Sequence, residues 1–151
     1  MTRISIDTRI DAPPDVCFDF ARDVSIHAES AAFSGERLVE PGRTSGLLEV
    51  GDLVTFEGRH FGIRQRFTTR VTRLERPHLF VDEMERGAFR SLRHIHEFHV
   101  DGSGTLMRDT LEWRAWFGWL VRRHMDRFVR TKQQNLKRII ESRYPRRGGT
   151  S

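Results

Sequence analysis

WFGWLVRRHMDRFVRTKQQNLKRIIESRY, residues 116–144, is the stretch that decides the fold. Beyond Trp116-Phe117-Gly118 its apolar residues Val121, Met125, Phe128, Leu136, Ile139 and Ile140 recur at helical spacing, with arginines and lysines between them. The pattern predicts one amphipathic helix of about seven turns, stopped at Pro145. A helix with a single apolar stripe must lie on something, and the residues before it supply the surface.

From Glu36 to Ala115 the period shortens to two, the signature of half-buried strands. Strands are expected at about 36–40, 52–61, 63–74, 78–85, 91–100 and 104–115. Turn signals separate them at Pro41-Gly42, Gly51-Asp52, Phe61-Gly62, Arg76-Pro77, Gly87 and Asp101-Gly102-Ser103-Gly104, as in an antiparallel meander. A further strand opens the chain, where Ile4, Ile6, Thr8 and Ile10 alternate with Arg3, Ser5, Asp7 and Arg9. Ala12-Pro13-Pro14-Asp15 then starts a short helix with Val16, Cys17, Phe20 and Ala21 on its apolar face. A second short helix is expected from near Ser25 to before Gly35. The order β-α-α-β6-α predicts an α+β fold, a curved antiparallel sheet of about seven strands wrapped around the C-terminal helix.

A chain of 151 residues with 37% hydrophobic side chains, including 11 Phe and 3 Trp, suits one domain, able to bury roughly 70% of its unfolded surface. The domain is expected over residues 1–144, with 145–151 as a disordered basic tail. No run of about 18 apolar residues occurs, and the N-terminus lacks the apolar stretch of a secretory signal, so a soluble, cytoplasmic protein is expected. The lone Cys17 excludes an intrachain disulfide and a thiolate-rich metal site, and suits a reducing compartment.

Charge is uneven. Residues 119–151 carry ten Lys+Arg against two Asp+Glu, a formal +8, while the preceding residues carry sixteen against nineteen, −3. The solvated face of a long helix explains this asymmetry. The alternative is a macromolecular partner, RNA, a ribosome or an anionic membrane, met by Arg122, Arg123, Arg127, Arg130, Lys132, Lys137 and Arg138. No RNA-reading aromatic motif accompanies these residues, which makes nucleic acid the lesser choice.

Three local features fall in a recognisable order: the Ile-rich first strand running into Ala12-Pro13-Pro14-Asp15-Val16, the stretch Gly51-Asp52-Leu53-Val54-Thr55-Phe56 ending in His60-Phe61-Gly62, and Gly104-Thr105-Leu106-Met107-Arg108-Asp109 before the last helix. In this the chain resembles the START-like superfamily, also called SRPBCC or polyketide cyclase/dehydrase-like, over about residues 3–144. The resemblance implies a helix-grip fold with a hydrophobic cavity between sheet and helix, where members hold lipids, hormones, polyketides or other apolar molecules. A few members are aromatases or cyclases.

Function then depends on the residues that face the helix. Alternation places Val54, Phe56, Gly58 and His60 on one inner face, Ile63, Gln65, Phe67, Thr69 and Val71 on the next, and Phe80, Asp82 and Met84 on a third. Leu92, His94, His96, Phe98 and Val100 follow, then Met107, Asp109, Leu111 and Trp113. The expected ligand-binding set is drawn from these (Phe56, His60, Gln65, Phe67, Phe80, Asp82, Met84, His94, His96, Phe98, Met107, Asp109, Leu111, Trp113), with Met125 and Phe128 from the helix.

His60, His94, His96, Asp82 and Asp109 are the candidates for chemistry. They either satisfy one another as a core network or move protons in a cyclase-, aromatase- or dehydratase-type reaction. His94 and His96 stand about 7 Å apart along one strand face, and His60 or an Asp could make a third metal ligand. That spacing is a common accident of strands, and no metal or other cofactor is assigned. No Gly-x-Ser-x-Gly elbow, phosphate-binding loop or dinucleotide fingerprint occurs. Trp113, Trp116, Phe117 and Trp119 cluster where the last strand meets the helix, as hinge packing, a pocket mouth or a dimer contact, and the chain is expected to be a monomer or homodimer. The reading is a binder or carrier of a small hydrophobic ligand, with the enzyme as its alternative.

Overall fold

The structure, a computed structural model, describes residues 1–144. The first strand, β1 (Thr2–Ile10), leads through the short helices α1 (Pro14–Ala21) and α2 (Val24–Ser30) and a 3-10 turn (Ala32–Ser34) to β2 (Arg37–Val39). The meander follows as β3 (Leu53–His60), β4 (Ile63–Glu75), β5 (Leu79–Arg86), β6 (Ser91–Asp101) and β7 (Gly104–Arg114), and the chain closes with α3 (Gly118–Arg143). All pairings are antiparallel and the sheet order is β1-β7-β6-β5-β4-β3-β2, so β1 returns beside β7 and only one neighbour breaks sequence order. This is the helix-grip α+β architecture.

The inner face of the sheet follows the period of two. Ile4, Ile6, Thr8 and Ile10 are buried along β1, and Leu92, His94, His96 and Phe98 along β6. β4 is the longest strand, and two register shifts against β5 curve the sheet around α3. β3 and β4 are joined by the two-residue turn Phe61-Gly62, with φ of 55° and 75°. Positive φ at both central residues matches the right-handed strand twist.

Packing over the sheet divides along α3. Val129, Gln133, Leu136 and Ile140 are its buried residues, all from near its midpoint onward. Leu136 and Ile140 close one apolar cluster with Phe18, Phe80, Phe98 and Met107. Val129 joins a second, with Ile4, Ile6, Leu92, Leu111 and Trp113. Most of α3's first half is less deeply set.

Two sequence expectations shift at the short helices. α1 buries Cys17, Phe18 and Ala21, while Val16 and Phe20 are only partly covered. The expected face omitted Phe18, which is fully buried because α1 is wedged between the sheet and α3 and is covered on more than one side. α2 begins at Val24, as expected near Ser25, because the Asp23 carboxylate accepts hydrogen bonds from the backbone N–H of Ser25 and Ile26. It ends at Ser30 rather than running to Gly35, which adopts φ 71° after the separate 3-10 turn. The expected stop at Pro145 and the expected tail over 145–151 lie outside the described residues.

The basic outer face of α3 is partly paired, Arg130 with Asp126, Lys137 with Glu141 and Arg143 with Glu29. No helix among the described residues is long and apolar enough to cross a membrane.

The division of α3 sets an expectation for stability. Ile140→Ala opens a cavity under a fully buried residue and should cost about 2–5 kcal/mol, whereas Trp119→Ala, at a side chain 77% exposed, should cost less than about 0.5 kcal/mol. Urea unfolding of the two variants checks both.

Candidate functional site

Where the first half of α3 stands over β3 to β7, a cavity of about 270 Å³ remains between helix and sheet. Its apolar wall includes Phe56, Phe67, Phe89, Leu92, Met125 and Phe128, and its polar wall His27, Glu36, His60, Asp82, His94 and Lys132. Phe61 and Trp116 line it and are exposed at 51% and 71%, which marks the side open to solvent. The loop after β5 folds inward so that Phe89 meets Phe67 edge to face, centroids 6.4 Å apart. Gly87 permits this fold, because a Cβ there would lie 2.7 Å from both the Met84 sulfur and the Phe67 ring.

Beside the cavity runs a buried polar belt, built by strand register. Asp82 of β5 sits opposite His94 of β6, and His96 of β6 opposite Asp109 of β7. Asp109 Oδ1 lies 2.9 Å from His94 Nε2 and 2.8 Å from His96 Nδ1, and His96 Nε2 lies 2.8 Å from Asp82 Oδ2. Both ring nitrogens of His96 therefore face carboxylates, the geometry of an imidazolium donating twice. Phe80 stacks on the same ring, centroids 3.9 Å apart. Along β6 and β7 the belt separates the two apolar clusters, with Phe98 and Met107 on one side and Leu92 and Leu111 on the other.

The titrations follow from these contacts. Burial works against the charge on His96, but the hydrogen bonds to Asp109 and Asp82 outweigh it and raise the imidazole above its ordinary value. Burial dominates at His94, with the His96 charge beside it, and lowers that ring despite its bond to Asp109. Burial would raise Asp109 and Asp82, yet the histidine hydrogen bonds hold both carboxyls below the usual range. Asp109 Oδ2 is buried without a hydrogen-bond partner. At the cavity's flank, His60 Nδ1 and His124 Nε2 are 2.9 Å apart, and burial lowers both rings.

Of the sixteen residues expected to contact a ligand, the cavity wall includes Phe56, His60, Gln65, Phe67, Phe80, Asp82, His94, Leu111, Met125 and Phe128. The wall leaves out Phe98 and Met107, which lie in the cluster beneath α1, Trp113, fully buried at the hinge, and Met84, packed beside Phe67. His96 and Asp109 stand behind the wall, joined to it through His94 and Asp82. Asp82, His94 and His96 offer ligand atoms within 4.8 Å of one another, the donor set that a divalent transition metal would use, whereas His60 is turned to His124. Trp116 and Trp119 are exposed, unlike Trp113.

Sequence reasoning missed Lys132, His124, His27 and Glu36. Lys132 follows Phe128 by four residues and Met125 by seven, a signal hidden by counting its charge with the outer face. His27 and Glu36 come from α2 and the segment before β2, where no periodicity marked an inner face.

The family model described as polyketide cyclase / dehydrase and lipid transport matches residues 1–141. Among solved structures, the fold is similar to TTHA0849 from Thermus thermophilus, at 16% identity and a TM-score of 0.73, covering 95% of this chain and 99% of that one. It is similar to CV1439 from Chromobacterium violaceum, at 14% identity and a TM-score of 0.75, covering 92% and 96%. It is also similar to ginseng major latex-like protein 151 from Panax ginseng, at 11% identity and a TM-score of 0.65, covering 90% and 95%. At such identities the likeness is one of fold. No curated protein sequence matches the chain.

The belt makes stability depend on pH in a defined sense. Asp109 and Asp82 are depressed in the folded state, so their contribution is present above about pH 4 and is lost as pH falls below it. His96 is raised, so its contribution is full below about pH 6.5 and is lost as pH rises through its folded value, while His94, depressed, works the opposite way. Asp109→Asn should cost about 3 kcal/mol at pH 7 and flatten the loss of stability between about pH 4 and pH 2. Urea unfolding across that range is the check, and identical acid slopes in both proteins would contradict the assignment.

Proposed function

The chain belongs to the polyketide cyclase / dehydrase and lipid transport family, and on that premise we propose that it binds and carries a small hydrophobic molecule between the sheet and α3. The observation that carries this reading is the cavity itself, about 270 Å³ and walled by rings and aliphatic chains from β3, β4, β6 and α3. A largely apolar concavity with a few convergent polar groups is the usual form of a small-molecule site. Water gains little from such walls, so an apolar occupant is favoured by roughly 25 cal/mol for each Å² it covers.

A second reading rests on the belt. Asp82 and His94 reach the cavity wall and are linked behind it through His96 and Asp109, a connected path along which a proton can move to or from an enclosed substrate. Binding is the reading adopted, because the belt's histidines and carboxylates pair with one another as a core network does.

Native mass spectrometry of freshly purified protein, followed by solvent extraction, tests the binding reading. A stoichiometric apolar adduct is expected; absence of an adduct together with failure of the purified protein to take up any apolar probe would contradict it. Conversion of the extracted molecule by the wild type but not by a His94→Gln, His96→Gln variant would move the protein to the enzyme reading.

A further inference from the structure

Lys132 occupies the polar end of the cavity, and it is the cation of α3 that lines the cavity wall. Arg130, Lys137 and Arg143 each pair with a carboxylate, whereas Lys132 forms no ion pair among the described residues. It lines the cavity one turn beyond Phe128, and its Nζ contacts His27 Nε2 and lies 5.9 Å from the centre of the Phe56 ring. An ammonium has three N–H donors. The His27 imidazole, kept neutral by burial, accepts one of them, and no described oxygen takes the other two.

The nearby acids do not supply what is missing. Asp82 Oδ2 is committed to His96 and Asp109 Oδ1 to both histidines. Glu36 shares the cavity wall, but its Oε2 is buried without a partner, so it is not in contact with Lys132, and burial raises its carboxyl. An enclosed cation without a contacting counterion is costly, and a ligand anion that pairs with it recovers that cost through a charge-assisted hydrogen bond.

We propose that the hydrophobic ligand carries a carboxylate, and that Lys132 receives it at the polar end of the cavity while the apolar body lies among Phe67, Phe89, Met125 and Phe128. The inference rests on the binding reading above and specifies its ligand class, an organic acid with an apolar body rather than a neutral lipid.

The test uses acid and ester pairs of nearly equal shape, dodecanoic acid with methyl dodecanoate and 1-naphthoic acid with its methyl ester, titrated calorimetrically into the full chain at pH 7.5. In at least one pair the acid should bind more tightly than the ester by about tenfold or more. Lys132→Met, confirmed as folded by circular dichroism, should bring the acid-to-ester ratio to about one. Equal affinity for acid and ester in the wild type overturns the inference without any variant, and leaves the binding reading standing. A Lys132→Met protein that keeps the wild-type preference overturns it as well. Failure of both pairs to bind overturns this inference, and together with the absence of an adduct in native mass spectrometry it removes the cavity reading as well.

Discussion

Everything distinctive about this protein follows from how one long helix closes a curved sheet. The inner surface bends away beneath α3, so the helix makes close contact over part of its length and spans a gap over the rest. Its second half, through Gln133, Leu136 and Ile140, reaches the sheet and α1 and forms a filled core. Its first half, through Val121, Met125 and Phe128, roofs a hollow. One amphipathic stripe thus does two things, because the surface opposite it changes depth.

The polar belt lies at the boundary between these regimes. Two carboxylates and two imidazoles in a core are costly unless each finds partners, and the register of β5, β6 and β7 provides them. Such a network is weak evidence for stability, since apolar side chains of the same volume could replace it with little loss. Its position matters more: two members reach the cavity wall, so the walls offer an occupant both aromatic surface and ionisable groups. The belt and Lys132 give the hollow a polar end and an apolar end, and with them an orientation for whatever enters.

Much of this was legible in the sequence, and what was not has a physical reason. Alternation along each strand identified the inner faces, and so brought Asp82, His94, His96 and Asp109 to one side before their contacts were known. Alternation says nothing about depth, which is why Phe98 and Met107, on the same faces, proved to be core beneath Phe18 rather than cavity wall. Helical periodicity found Met125 and Phe128, but Lys132 was assigned to the solvated face by its charge, although its spacing places it under the helix. His27 and Glu36 were out of reach, because α2 and the segment before β2 take their orientation from tertiary packing and carry no period of their own.

The central claim is that the hollow beneath the first half of α3 admits an apolar guest while the core beneath its second half does not. Two-dimensional NMR of the isotopically labelled protein, titrated with the neutral probe N-phenyl-1-naphthylamine, tests it most directly. The account predicts saturable shifts at Phe56, Phe67, Met125 and Phe128, with Phe18, Phe98 and Ile140 unmoved. Shifts confined to the exposed Phe117 and Trp119, or shifts that never saturate, would contradict it.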